Sequence, residues 1–176
     1  MISLSNKIPV LIIIISALMN VISHAQVSSL KEHDVQNPVD ISADRLEVKQ
    51  QENIALFTGN VVVSQSDMSL VSDRITVFYQ GERDQNNSSS ISRLDASGNV
   101  VMTSPTETIK STWGVYDFSE KIITLGGDVE FSNSEGQIRS PRLQLNLITG
   151  QITMDGGRVE GEGSDRVSGQ FTPPQD

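Results

Sequence analysis

IALFTGNVVVSQSDMSLVSDRITV, residues 54–77, sets the pattern for the whole chain because its parts return in degenerate form. The Gly-polar-Val step of Gly59-Asn60-Val61 recurs at Gly98-Asn99-Val100, at Gly127-Asp128-Val129 and, more weakly, at Gly157-Arg158-Val159. The second half of the stretch recurs too. Ala43-Asp44-Arg45-Leu46, Ser72-Asp73-Arg74-Ile75, Ser111-Thr112-Trp113-Gly114 and Ser140-Pro141-Arg142-Leu143 overlay one another, the third most poorly. Successive glycines of the first motif are 39, 29 and 30 residues apart, so one unit of about 29 residues repeats with a single insertion of about ten. A fixed period in this range marks an architecture in which no unit buries its apolar face alone.

Inside the quoted stretch the apolar residues alternate. Phe57, then Val61 and Val63, then Met68 and Leu70, then Ile75, Val77 and Tyr79 share one face, with turns expected at Gly59 and at Ser64 to Asp67. A period of two with interposed turns predicts half-buried strands. Working outward, Val39, Ile41 and Ala43 alternate, and after a slip at Asp44-Arg45 Leu46 and Val48 resume in phase, which predicts a strand carrying a bulge or corner. Beyond Tyr79 the stretch Gly81 to Ser90, GERDQNNSSS, holds the extra ten residues and has the composition of an exposed loop. The pattern resumes through Leu94, Val100 and Met102, breaks at Ser104-Pro105, and continues through Tyr116 and Phe118, Ile122 to Leu125, Val129 and Phe131, and Leu143, Leu145 and Leu147. Turns every eight to twelve residues leave no room for a long helix after the leader, so the chain reads as all-β.

The ends read differently. Lys7, the apolar run Ile8 to Ile22 and the small residues of Ser23-His24-Ala25 predict a secretion signal over residues 1–25, cleaved before Gln26. Fifteen or so apolar residues fall short of the ~20 that a spanning helix needs. Residues 26–37 read as a flexible lead-in, 38–157 as the domain and 158–176, rich in glycine and charge, as a flexible tail. Without Lys7, 12 basic face 22 acidic residues, which argues against nucleic acid as a partner and against adhesion to an anionic membrane surface. The chain has no cysteine, so an exported protein must hold itself together without disulfides.

Catalytic chemistry finds little support. Asp44 and Asp73 recur at equivalent places, so the scaffold reading comes first: they bond turn backbone groups and pair with Arg45 and Arg74. His33 is the one histidine after the leader and stands in the lead-in. No metal, cofactor or nucleophile is expected, and the protein does not read as an enzyme. Stacked units with one apolar face each must fold over into two facing layers, a jelly roll or flattened solenoid. Two readings of the seam between them stay open: a closed core, or layers that stand apart and accept acyl chains. A dozen buried methylenes contribute on the order of 10 kcal/mol, enough for even a partly dry groove to hold a lipid. The leading edge VDISADRLEV has only the pair Asp44-Arg45 and the following Lys49 to blunt it, and is available for strand addition.

NPVDISADRLEV, NIALFTGNVVVSQSDMSLVSDRITVFY and IITLGGDVEFSNSEGQIRSPRLQLNLITG resemble the LptA or OstA-type periplasmic lipopolysaccharide-transport proteins over roughly Pro38 to Met154. The resemblance implies a twisted, V-shaped β-jelly roll, here of four degenerate repeats of about 29 residues, whose interior carries the lipid A part of lipopolysaccharide. It implies head-to-tail stacking of copies, an LptC-like inner-membrane partner at the N-terminal edge and an LptD-like outer-membrane partner at the C-terminal edge. By alternation, the side chains expected to face the lipid are Val39, Ile41, Leu46, Val48, Phe57, Val61, Val63, Met68, Leu70, Ile75, Val77, Tyr79, Met102, Tyr116, Phe118, Leu143, Leu145 and Leu147. The alternatives are an LptC-like component kept in the inner membrane by its first segment, and a closed structural β-solenoid without ligand.

Overall fold

The computed structural model describes residues 34–80, 90–157 and 166–173. The leader, His33 and most of the loop 81–90 lie outside the described residues. Among the described residues ten strands follow in order: β1 (Asp40–Ser42), β2 (Arg45–Lys49), β3 (Ile54–Gln65), β4 (Met68–Gln80), β5 (Ser90–Thr103), β6 (Thr108–Asp117), β7 (Ile122–Asn133), β8 (Gly136–Asn146), β9 (Ile152–Asp155) and β10 (Ser168–Phe171). All pair antiparallel in one open sheet, in the order β1-β3-β4-β5-β6-β7-β8-β10, with β2 also on β3 and β9 also on β8.

The Gly-polar-Val steps are where this sheet turns its corner. Register slips between Thr58 and Val61, between Ser97 and Val100, and between Gly126 and Val129. At each slip two successive residues take positive φ: Gly59 and Asn60 at 81° and 45°, Gly98 and Asn99 at 79° and 45°, Gly127 and Asp128 at 73° and 50°. Glycine and Asn or Asp are the residues that tolerate this region. Opposite each step the recurring serine of the second motif holds the bulge. Ser72, Ser111 and Ser140 are buried and donate their hydroxyls to the carbonyls of Arg74, Trp113 and Arg142 at 3.2, 3.1 and 2.9 Å. At the first unit alanine stands in that place, and the strand divides there into β1 and β2.

These aligned corners split the sheet in two. β2, β9 and the corresponding halves of β3 to β8 form a first half-sheet; β1, β10 and the remaining halves form a second. Their inward residues, Ile75, Leu125 and Leu145 from the first and Val61, Met102 and Ile109 from the second, belong to one core and are at most 1% exposed. This is a β-jelly roll. Three corners share the glycine geometry among the described residues. Gly157, the fourth expected, does not take positive φ and meets only the ring of Pro141.

The acids of the second motif serve the corners, though not as expected. Asp44 and Asp73 accept from the side-chain amides of Asn60 and Asn99, both at 2.9 Å. Arg45 pairs at 3.7 Å with Glu47, two residues on along β2 and so on the same face, while Asp44 stands in the bend between β1 and β2 and is held by Asn60. Thr112 takes the acid's place in the third unit and donates to the Gly126 carbonyl at 3.2 Å, while Trp113 lies over Gly126, where a side chain would collide with the indole. Replacing Gly98 with alanine is expected to cost about 2–3 kcal/mol in urea unfolding, since positive φ is joined by contact with the Asp73 carboxylate. Asp73→Ala in the same chain should recover part of that loss.

Two segments beyond the predicted strands are structured. Asp34–Asn37, the end of the expected lead-in, is tied to β3: the buried Gln65 amide donates to the Val35 and Asn37 carbonyls at 3.3 and 2.8 Å, and Asn37 donates to Ser66 at 2.6 Å. Within residues 158–176, expected as a tail, β10 runs along Gly136–Arg139 of β8. All four of its residues are exposed, so backbone pairing holds it. Gly136 permits the approach, since a Cβ there would meet the Gln170 carbonyl oxygen.

Candidate functional site

The eighteen side chains singled out by alternation fall into three groups along the roll. Val61, Val63, Met68, Ile75, Val77, Met102, Tyr116, Leu143, Leu145 and Leu147 are buried in the core. Val39, Ile41, Phe57, Leu70, Tyr79 and Phe118 are partly buried and pack against it. Leu46 and Val48 are each 53% exposed. They pair with Phe57 and Ala55, so they share the inward face, but at the end of the first half-sheet no opposing strand among the described residues covers them.

In the middle the layers meet. The cavity there, bounded by Val63, Met68 and Met102 from one half-sheet and Leu94, Tyr116 and Leu125 from the other, has a volume of about 30 Å³, the room of one water. For this conformation the closed-core reading describes the centre. The two ends are open. Leu46, Val48, Ala55, Phe57 and Tyr79 line a groove of about 170 Å³ at the β2 end. At the other end Phe131, Ile138, Ile152, Met154, Val167 and Phe171 line a groove of about 490 Å³, rimmed by Glu107 and Asn133 to Gly136.

The second groove was not among the expected site residues. Ile152 and Met154 alternate and could have been extended from Leu147, but Val167 and Phe171 stand in a polar, glycine-rich stretch that gives no period. Phe171, 65% exposed, reaches the groove only because β10 doubles back on β8. Both ends of the sheet carry backbone paired on one side only, through β1 and β2 on β3 and through β9 and β10 on β8.

Apart from the buried Glu107 at the rim of the second groove, the ion pairs lie on exposed or half-exposed side chains. Glu130 accepts from Arg139 at 3.0 Å with Lys110 at 3.9 Å, and Arg93 pairs with Asp95 at 2.8 Å while lying 4.2 Å from the Phe78 ring centroid. Among the described residues no group of three or more His, Cys, Asp or Glu could hold a metal ion. Tyr116 adds a polar group to the central cavity beside Gln65. Its hydroxyl is buried without a hydrogen-bond partner, and burial pushes its pKa up from 10.0 to about 12. The interior offers hydrocarbon contact along its length, the Tyr116 phenol and the Gln65 amide at its centre, and no group placed for covalent chemistry among the described residues.

Comparison with known proteins adds the family. A family model described as LptA/(LptD N-terminal domain) LPS transport protein matches residues 40–151. An uncharacterised protein of Rhizobium meliloti (strain 1021) is 31% identical over 128 residues, which cover 70% of this chain and 69% of that protein. LPS-assembly protein LptD of Yersinia pestis is 27% identical over 125 residues; these are 71% of this chain but only 12% of LptD. Among solved structures, LptH, the LptA homologous periplasmic component of the lipopolysaccharide transport device of Pseudomonas aeruginosa, superposes with a TM-score of 0.66. At 14% identity, covering 80% of this chain and 99% of LptH, that likeness speaks for the fold.

Proposed function

The chain belongs to the LptA/LptD N-terminal family of lipopolysaccharide-transport proteins, and from that premise we propose that it carries the lipid A part of lipopolysaccharide between its half-sheets across the periplasm. The supporting observation is the arrangement of the apolar lining. It runs unbroken from an open groove at β2, through a closed centre, to an open groove at β9 and β10. Acyl chains enter at one end by hydrophobic contact, and the half-sheets part as the chains advance. The transfer is passive, so the carrier needs no covalent step. An LptC-like inner-membrane protein delivers at the N-terminal edge and an LptD-like outer-membrane protein receives at the C-terminal edge, with head-to-tail copies of this chain spanning the gap by strand addition. At the receiving end β9 is the edge of the first half-sheet among the described residues. The edge of β8 in the second is already taken by β10, so a partner there adds to β10 or displaces it.

Paired photo-crosslinking in living cells tests this reading. Val48 is 53% exposed on the inward face, and the neighbouring Glu47 side chain is 46% exposed on the outward face, so accessibility is matched and only direction differs. A crosslinker at Val48 should capture lipopolysaccharide and one at Glu47 should not. Equal labelling removes the inward assignment. The closed centre favours a second reading, a rigid spacer without ligand, and absence of lipid adducts at both positions is what that reading predicts.

A further inference from the structure

Tyr116 breaks a habit that the rest of the interior keeps. The buried hydroxyls of Ser72, Ser111 and Ser140 each donate to a carbonyl two residues on. Tyr116 is only 7% exposed, stacks on Phe118 with ring centroids 4.0 Å apart, and leaves its hydroxyl unpartnered. Phenylalanine would keep the ring, the stacking and the burial without that cost. A buried polar group without a partner calls for an explanation.

Its surroundings narrow the choice. Tyr116 lines the cavity of about 30 Å³ at the centre of the roll, whose other walls are apolar apart from Gln65, the amide nitrogen of which is committed to two carbonyls of the 34–37 segment. A water fits by volume, but a buried water makes about three hydrogen bonds, and such walls supply too few. The fitting partner brings its own oxygen and is otherwise hydrocarbon. We propose that Tyr116 is a polar anchor for the ligand, its hydroxyl donating to the ester or amide carbonyl, or to a chain hydroxyl, at the head of an acyl chain that has entered between the half-sheets. This rests on the lipid-carrier reading and deepens it. The apolar lining holds any alkyl chain at any depth, whereas one donor at the centre fixes how far the acylated end advances. Because burial raises the pKa of the phenol, the proton is available to donate at every physiological pH.

The test uses full-length mature protein, wild type and Tyr116→Phe, titrated with purified lipopolysaccharide and, in a parallel arm, with diacyl phosphatidylethanolamine vesicles. The variant should melt no lower than wild type, because no internal hydrogen bond is removed. It should bind lipopolysaccharide about tenfold more weakly, the factor that one hydrogen bond supplies. A matching loss in the phospholipid arm assigns the contact to acyl carbonyls in general, and loss with lipopolysaccharide alone assigns it to that lipid. Unchanged lipopolysaccharide affinity overturns the anchor while leaving the carrier reading intact. A clear drop in melting temperature also overturns it, since the hydroxyl then has a partner inside the protein. If wild type itself binds no lipopolysaccharide, the carrier reading fails and the anchor with it.

Discussion

Leu46→Glu combined with Val48→Glu is expected to weaken lipopolysaccharide binding by about a hundredfold or more while leaving the unfolding midpoint nearly unchanged. Both side chains are 53% exposed at the β2 groove, so the folded protein gains no buried charge from the change. An acyl chain entering that groove, however, must cover both carboxylates. Covering an unpaired charge costs several kcal/mol unless it is neutralised, and tenfold in affinity corresponds to about 1.4 kcal/mol. The matched control lies on the outer face. Val62 and Val71 pair with each other across β3 and β4 and are 36% and 42% exposed, so they are comparable in chemistry and accessibility. Val62→Glu with Val71→Glu should bind like wild type. Equal loss in both double variants would mean that charge anywhere on the surface repels the lipid, and the inward assignment would have no support.

Leu125→Ala carries the largest expected effect on stability, about 3–5 kcal/mol by urea unfolding. Leu125 is fully buried where the two half-sheets meet, and it lines the central cavity. The site has little means to collapse, because Leu125 stands over Gly114, where a Cβ would come within 2.7 Å of its Cδ2. Removing the leucine therefore leaves a void bounded on one side by backbone. A loss below about 1 kcal/mol would mean that the centre is loosely packed in solution and that the half-sheets already stand apart.

Much of this fold could be read from the sequence, for a local reason. Gly59-Asn60, Gly98-Asn99 and Gly127-Asp128 announce the corners because consecutive positive φ values admit few residue types. The inward phase of Val61, Ile75, Val77 and Leu143 follows from a period of two that one buried face enforces. What could not be read depends on relations between distant segments. Nothing in the alternation of Leu94 or Met102 states how far apart the layers lie, so the same pattern fits the closed centre and the open ends. Gly157 matches the motif by spacing, yet β9 ends at Asp155 and Gly157 does not take positive φ, while Arg158 and Val159 lie outside the described residues. Neighbourhood in sequence suggests a pair between Asp44 and Arg45, whereas the bend between β1 and β2 gives Asp44 to Asn60 and Arg45 reaches Glu47 along β2. β10 has no apolar period to reveal it, since its four exposed residues are held by backbone pairing and by the bare Cα of Gly136.

The family places this chain in lipopolysaccharide transport, but a roll shut at its centre carries acyl chains only if its halves separate. Spin labels at Thr103 on the second half-sheet and Thr124 on the first, introduced as cysteines into a chain that has none, report that separation directly. Saturating lipopolysaccharide should lengthen the distance between them by several ångströms, with the unliganded distance recovered when the lipid is removed. A distance that stays fixed while the lipid binds to saturation would put the ligand outside the half-sheets and contradict the account.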